Sequence, residues 1–386
     1  MFTIANGCVL KGVDLQPVFE NIVVDDGLIV EIAKDASEGK IIDAQGQIVC
    51  PTFLNAHMHI GDSIIKDQGY GLSLDEMVKP PNGIKHVALA NSSDDSLIDA
   101  MRNSLKDMIN SGISHFIDYR EGGIDGIKLL KKAAQNLPIT PIILGRDDSF
   151  YGDDPDLKAV KIASRKILKI ADGIAPSGFG EITDEVAEII TRSCEKYNKI
   201  SSIHTAESEA AQINSINKTN HSEIERAIRN NFKQIVHITN PKNNDLKLIK
   251  DSKINVVLCP RANATLSVGI PPLDIINTSN PLLGTDNVMF NCPNIFRELE
   301  FSIKLASLQN ITLKPENLLK TVTTNVSYSN LNEYINKPVI DVNERAEFFT
   351  IKQFSKNPYL SIINRSETKH IKNNINIIFN NNLMDV

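Results

Sequence analysis

Tryptophan is absent from the 386 residues, and aromatic residues make up only 5% of them. That argues against a broad protein-recognition surface, whose energetic centres are enriched in tryptophan and tyrosine. Basic charge is not in excess either: 41 Lys and Arg against 47 Asp and Glu leave a formal net charge of −6. Binding to nucleic-acid phosphates or anionic lipid draws on a basic field that is missing here, so neither partner is expected. No run of about 18 apolar residues exists, so no membrane-spanning helix is expected. The five cysteines (Cys8, Cys50, Cys194, Cys259, Cys292) are scattered, odd in number and without a Cys-x-x-Cys pair. They read as reduced thiols. The opening MFTIANGCVLKGVDLQPVFE has no basic start, apolar core or cleavage pattern. A cytoplasmic location is therefore expected. What is present is ordinary globular composition, 41% hydrophobic and 23% charged. The length suits one large domain, alone or with a smaller companion.

The two ends differ from the middle. Short β-like runs (Phe2–Ile4, Ile22–Val24, Leu28–Ile32, Ile41–Ile42) alternate with Asp-Gly, Glu-Gly and Gln-Gly turns near the start. Similar runs recur at the other end: Phe348–Ile351, Leu360–Ile363 and Ile375–Phe379. The pattern predicts a small β-sandwich domain built from residues 1–49 and 337–386, with a loosely held polar tail from residue 380.

Between them, eight short apolar runs end in polar residues, and helical periodicity follows. The runs are Thr52–His57, His115–Tyr119, Thr140–Arg146, Asp172–Ser177, Ser202–Glu207, Ile235–Thr239, Asn255–Pro260 and Leu282–Asp286. Leu97, Met101, Leu105 and Met108 exemplify the helical spacing. Strand–helix alternation implies a parallel sheet, and eight units imply a closed (β/α)8 barrel over residues 50–336. His57 and Asp286 are 229 residues apart, about 33 for each of seven units, which matches a barrel of ~250 residues. A doubly wound open sheet would want a Gly-rich turn after its first strand, and none is present.

The chemistry-bearing residues fall at the C-terminal ends of these runs, where barrel enzymes keep their active sites. Asn55-Ala56-His57-Met58-His59 ends the first run. Residues two apart share a strand face, so both imidazoles can point into the barrel mouth as half of a transition-metal site. Packed or surface histidines would look the same. His204-Thr205-Ala206-Glu207 ends the fifth. Glu207 joins His204 only if the chain turns just beyond the strand, and otherwise it is a helix N-terminal acid. The sixth run ends at His237 and the eighth at Asp286, which could equally be a cap.

The segments PTFLNAHMH, IHTAES, VHIT, CPRAN and LGTDN, in this order and spacing, resemble the amidohydrolase superfamily. The resemblance covers nearly the whole chain. It implies His57, His59, His204 and Asp286 as ligands of a divalent transition metal, zinc first and ferrous iron second. It also implies His237 beside the activated water and Glu207 as proton shuttle, with Asp286 sharing in catalysis. The His-x-x-Glu of strand five resembles the cytosine, guanine and adenosine-type deaminases and the related chlorohydrolases. Two-metal members carry a bridging Lys or Glu on strand three or four. The corresponding runs here have neither, so one metal is expected.

The implied activity is deamination of a cyclic amidine or nucleobase-like small molecule, with release of ammonia. Opening of a lactam or imidazolone ring, or displacement of a halide, keeps the same metal chemistry. A barrel without catalysis, used in assembly, is the alternative of another class, and a homo-oligomer is left open. Candidate substrate contacts at strand ends are Arg120, Asp147, Arg261 and Asn263, with Glu121, Arg146, Asp148 and Cys259 nearby. His86, His115, His221 and His370 read as structural. Two mouth segments depart from the family pattern: loop 77–83, and the stretch after strand eight from Asn287 to Glu298.

Overall fold

The computed structural model describes residues 1–374 except 74–75, 78–81, 243, 332 and 336–337. The expected strand at 375–379, the polar tail beyond it and residues 78–81 of the mouth loop lie outside the described residues.

Seven strands precede the barrel: β1 (Phe2–Ala5), β2 (Cys8–Lys11), β3 (Gln16–Val18), β4 (Asn21–Asp25), β5 (Leu28–Ala33), β6 (Lys40–Asp43) and β7 (Gln47–Pro51). Then come β8 (Phe53–His59), β9 (Ile113–Arg120), β10 (Thr140–Gly145), β11 (Gly173–Ile174), β12 (Ile200–Thr205), β13 (Gln234–His237) and β14 (Asn255–Leu258). The eighth run is split into β15 (Leu282–Leu283) and β16 (Asp286–Asn287), and β17 (Phe348–Lys352) and β18 (Ile371–Asn374) follow.

Strands β8 to β14 pair in sequence order and in parallel. The run 282–287 joins the two ends of this sheet: Leu282 and Leu283 pair with β14, while Asp286 and Asn287 pair with β8. The result is a TIM-like barrel, as the eight runs predict. Helices cross between strands. The helix Asp94–Asn110 starts at Ser93, whose side chain accepts from the Ser96 amide, and Asp94 and Asp95 complement its positive end. Its predicted stripe is buried at Met101, Leu105 and Met108, while Leu97 is half-buried against the core.

Strand alternation divides the core. Ile117, Tyr119, Ile142 and Leu144 belong to one buried cluster, while their chain neighbours Phe116 and Ile143 belong to another. Strand four is the shortest. Its expected length, Asp172–Ser177, is cut to two paired residues before Pro176, which has no N–H to give to a ladder.

Strands from both chain ends share one sheet, ordered β18-β17-β7-β2-β3. A second sheet, β5-β4-β1-β6, is wholly N-terminal. Ile4, Ile22 and Val24 from the second pack with Val9, Val49 and Phe348 from the first. One expectation is corrected: Leu360–Ile363 is not a strand but lies in the helix Pro358–Arg365. Asn357 caps that helix by accepting from the Leu360 amide, and Pro358 occupies its first turn. A short apolar run alone does not distinguish a strand from the buried stripe of a helix.

His115 lies near the start of β9, on the stability side of the barrel. Its Nδ1 is 3.6 Å from Glu347 Oε2, just before β17, so this buried pair ties the barrel to the shared sheet. Burial raises the Glu347 carboxyl from the usual 4.5 to about 7, with Arg345 offsetting it in part. The folded protein therefore holds that proton more tightly than the unfolded chain. Stability from this group is complete below about pH 4.5 and is lost as pH rises to about 7. Glu347→Gln should remove that decline and leave the protein more stable than wild type at pH 8, by about 1–3 kcal/mol. Denaturant unfolding of both proteins from pH 5 to pH 8 tests this. Parallel curves would show that Glu347 does not titrate as described.

Candidate metal centre

β8 delivers His57 and His59, β12 His204 and β13 His237, each at or near a C-terminal strand end, and Asp286 opens β16, which pairs with the end of β8. Donor atoms of His57, His59 and His204 lie within 4.8 Å of one another, as do those of His57, His237 and Asp286. His57 Nε2 is 3.1 Å from Asp286 Oδ1, and His59 Nε2 is 3.6 Å from the same oxygen. The rings of His204 and His237 stack at 5.3 Å, and those of His59 and His204 at 5.5 Å.

The backbone takes uncommon conformations to achieve this. Asp286 has φ +58°, His237 +77° and Ala206 +51°. Each is a left-handed residue with a side chain, which costs about 1–3 kcal/mol and persists only where surroundings enforce it. At Ala206 the consequence is visible: the turn brings Glu207 onto the His204 side although it stands three residues further on. Glu207 Oε2 is 3.7 Å from His237 Nε2. The turn is latched by Glu223 Oε2, which accepts the Ala206 amide at 2.8 Å, and by Asn240 Nδ2, which donates to the Glu207 carbonyl at 2.9 Å.

Strand eight reaches strand one through a tight contact. Asn55 donates to Thr285 Oγ1 at 2.8 Å and accepts the Thr285 amide at 3.0 Å. A Cβ on Gly284 would stand 2.7 Å from His57 Cβ, N and O, so only glycine lets the two strands approach.

His204, His237 and His57 each have an orienting partner or a fixed neighbour. His204 Nδ1 donates to the Ser177 carbonyl at 2.7 Å, leaving Nε2 for the centre. Asn263 Nδ2 donates to His237 Nδ1 at 3.1 Å. The Tyr119 ring packs edge-on against His57 at 4.2 Å, with its hydroxyl held by Ser202 and Gln234.

Burial pushes His57 down to about 3 against the partly offsetting Asp286, and burial with neighbouring imidazoles lowers His204 as well. Neutral imidazole is the form that binds metal. Burial would raise Asp286, but its hydrogen bond and charge interaction with His57 hold it well below the usual carboxylate range. Imidazole nitrogens converging with one carboxylate in a largely buried pocket form a donor set that fits a divalent metal. Burial raises Glu207 above the ordinary carboxyl value, with His237 opposing.

The remaining candidates divide. Arg120 lines the cleft, but its Nη2 is 2.8 Å from Glu121 and its Nη1 3.7 Å from Asp118. Asp147 caps a short turn by accepting from Ser149, and its neighbour Asp148 lines the cleft instead. Arg261 is held outside the lining by the Cys292 carbonyl, Asn291 and Glu298. Asn263 touches His237 and not open space. Cys259 is fully buried, and burial pushes its thiol well up, which suits a structural residue.

Lys85, Tyr119, Glu223 and Asn240 are additions from the structure. Tyr119 was accessible from strand alternation, since it shares a face with Ile117. The other three stand on crossing helices or loops, where no local pattern marks them.

The amidohydrolase family model matches residues 48–368. The chain belongs to that family, and it is a hydrolase acting on carbon–nitrogen bonds. A Methanothermobacter thermautotrophicus protein carrying an aminohydrolase name is 45% identical over 375 residues, 96% of each chain. A 5'-deoxyadenosine deaminase of Methanobrevibacter smithii is 25% identical over 310 residues, 75% of this chain and 68% of that one. The zinc-bound adenosine deaminase of Xanthomonas campestris superposes with TM-score 0.81 at 16% identity, covering 96% of this chain and 90% of that one. The fold is thus shared well beyond recognisable sequence identity. Among the described residues no helix is long and apolar enough to cross a membrane.

Gly284→Ala should force strand eight away from His57. We expect a loss of about 1–3 kcal/mol in stability from the backbone clash, together with weakened zinc binding. Thermal melts with and without zinc measure both. Unchanged stability and unchanged zinc shift would mean that the two strands do not approach as described.

Proposed function

We propose that the protein is a mononuclear, zinc-dependent aminohydrolase that deaminates a cyclic amidine or nucleobase-like compound. The observation that carries this reading is the position of Glu207: a half-buried carboxyl at the edge of the four-residue donor set, held there by a left-handed turn at Ala206. Metal coordination alone does not call for such a residue, whereas ammonia departure needs a proton delivered to the leaving nitrogen.

In this reading His57, His59, His204 and Asp286 would hold the ion. When bound, it supplies Lewis-acid activation of water. Asp286 accepts a proton from the attacking water. His237 Nε2 donates toward the oxygen as negative charge develops on it; the Asn263 contact at Nδ1 directs the ring's N–H inward. Glu207, with its affinity for the proton raised by burial, protonates the ring nitrogen. The proton that Asp286 took from the water then passes through Glu207 to the departing amine, and the proton left on the product oxygen restores Glu207. The cleft of about 1010 Å³ reaches from this centre past Leu97, Leu129 and Tyr151, room for a ring carrying a further group.

Incubation with a panel of pyrimidines, purines, pterins and triazines, read as ammonia release, should yield at least one substrate. Glu207→Gln should keep its metal and lose about 10²–10⁴-fold in turnover. Asp286→Asn should lose both activity and metal, since an amide is a poorer ligand than a carboxylate. Near-normal ammonia release by Glu207→Gln would reduce Glu207 to a structural role and sink the deaminase reading. A ring-opened acid in place of ammonia would redirect it to lactam hydrolysis.

A further inference from the structure

Beside the metal centre lies a buried ion cluster that the mechanism above does not use. Glu121, at the end of β9, receives three cations. Lys85 Nζ lies 2.5 Å from its Oε1, Arg120 Nη2 lies 2.8 Å from its Oε2, and Arg146 Nη2 also contacts Oε1. Lys85 additionally pairs with Asp62 at 2.8 Å, and Arg146 donates to Ser177 Oγ at 3.0 Å. All four charged groups gathered at this point are nearly excluded from solvent. Sinking so many charges is costly unless their geometry is closely satisfied, so the cluster calls for a function.

Its position supplies one. The same Glu121 Oε1 that is gripped by Lys85 and Arg146 stands 3.3 Å from His59 Nδ1. His59 Nε2 faces Asp286 and the centre, so Nδ1 carries the proton, and it faces Glu121. Ser177 belongs to the same arrangement, since its carbonyl orients His204 while its hydroxyl receives Arg146. We infer that Glu121 is a positioning residue for the metal ligand His59, and that Lys85, Arg120 and Arg146 form a clamp that holds its carboxylate at Nδ1. A fixed carboxylate at that nitrogen sets the tautomer, restrains the ring and makes Nε2 a better donor to metal. Arg120 and Arg146 are thus occupied in supporting the centre, and are not free anion receptors. Gly61 makes room for this, because a Cβ there would lie 1.8 Å from Arg120 Nη2.

This inference rests on the reading of His59 as a metal ligand, and zinc itself is a sufficient probe. Metal-free protein is titrated with zinc in competition with a chromophoric chelator. Glu121→Gln should bind zinc 10–100-fold more weakly than wild type, the range for loss of an orienting carboxylate. Because unpaired buried cations oppose folding, Glu121→Gln with Lys85→Met is measured alongside it. The double variant has the wild-type net charge, and it should show the same weakening. That outcome separates orientation of His59 from simple charge attraction. Lys85→Met alone should weaken zinc binding less than Glu121→Gln does, because two cations still grip the carboxylate. With cobalt(II), the d–d absorption of the double variant should shift as the His59 ring loosens. Wild-type zinc affinity and an unshifted cobalt spectrum in the double variant would overturn the positioning role and leave the centre intact. Absence of zinc binding by wild type would overturn the reading of the centre, and this inference with it.

Discussion

The closure of strand eight onto strand one is the contact on which the site depends. Among the described residues, Asp286 is the one carboxylate in the candidate donor groups. It reaches the histidines because the run 282–287 leaves β14 after two residues and pairs with β8 for two more. Gly284 permits the approach and the Asn55–Thr285 hydrogen bonds lock it. The same closure carries a structural and a chemical duty: it completes the barrel, and it places one carboxylate oxygen close to both His57 and His59. A looser closure would leave a stable sheet with a ligand set short of its acid.

Around that contact the protein arranges charge so that each group keeps a defined state. Burial holds His57 and His204 toward the neutral form, and Asp286 stays ionised. Asp286 is buried and Glu207 half-buried, and their proton affinities are moved in opposite directions. Asp286 is hydrogen-bonded to an imidazole, while Glu207 lies 3.7 Å from one. Separation of two acids by their surroundings is how one site can hold both a proton acceptor and a proton donor. Farther out, Glu121 and its three cations continue the same logic, with buried charge used to hold geometry and not to bind from solution.

Much of this was legible in the chain itself. The eight strand runs stood out from strand–helix alternation, and His57, His59, His204, His237 and Asp286 from their places at the runs' ends. The roles expected of them, and of Glu207, came from the family resemblance, because Glu207 stands three residues after His204 and period-2 alternation alone puts it on the other face. The strand at 360–363 was misread because four apolar residues suit either period, and the deciding signal was Asn357-Pro358 just before them. Substrate contacts were misjudged for a different reason. Asp147, Arg261 and Asn263 sit at strand ends as expected, but the partners that claim them (Ser149, Glu298 and His237) come from the loops, helices and neighbouring strands of the fold. Lys85 was invisible for the same cause, since its two partners, Asp62 and Glu121, lie 23 and 36 residues away in the chain and meet it only after folding.

The central claim is that three imidazoles and one carboxylate hold a single ion. X-ray absorption of the zinc-loaded protein tests it most directly. The account predicts one zinc per chain in a shell of nitrogen and oxygen at about 2.0–2.2 Å, with outer-shell scattering from three imidazole rings. A sulfur neighbour at about 2.3 Å, or a second metal at about 3.5–4 Å, would contradict it.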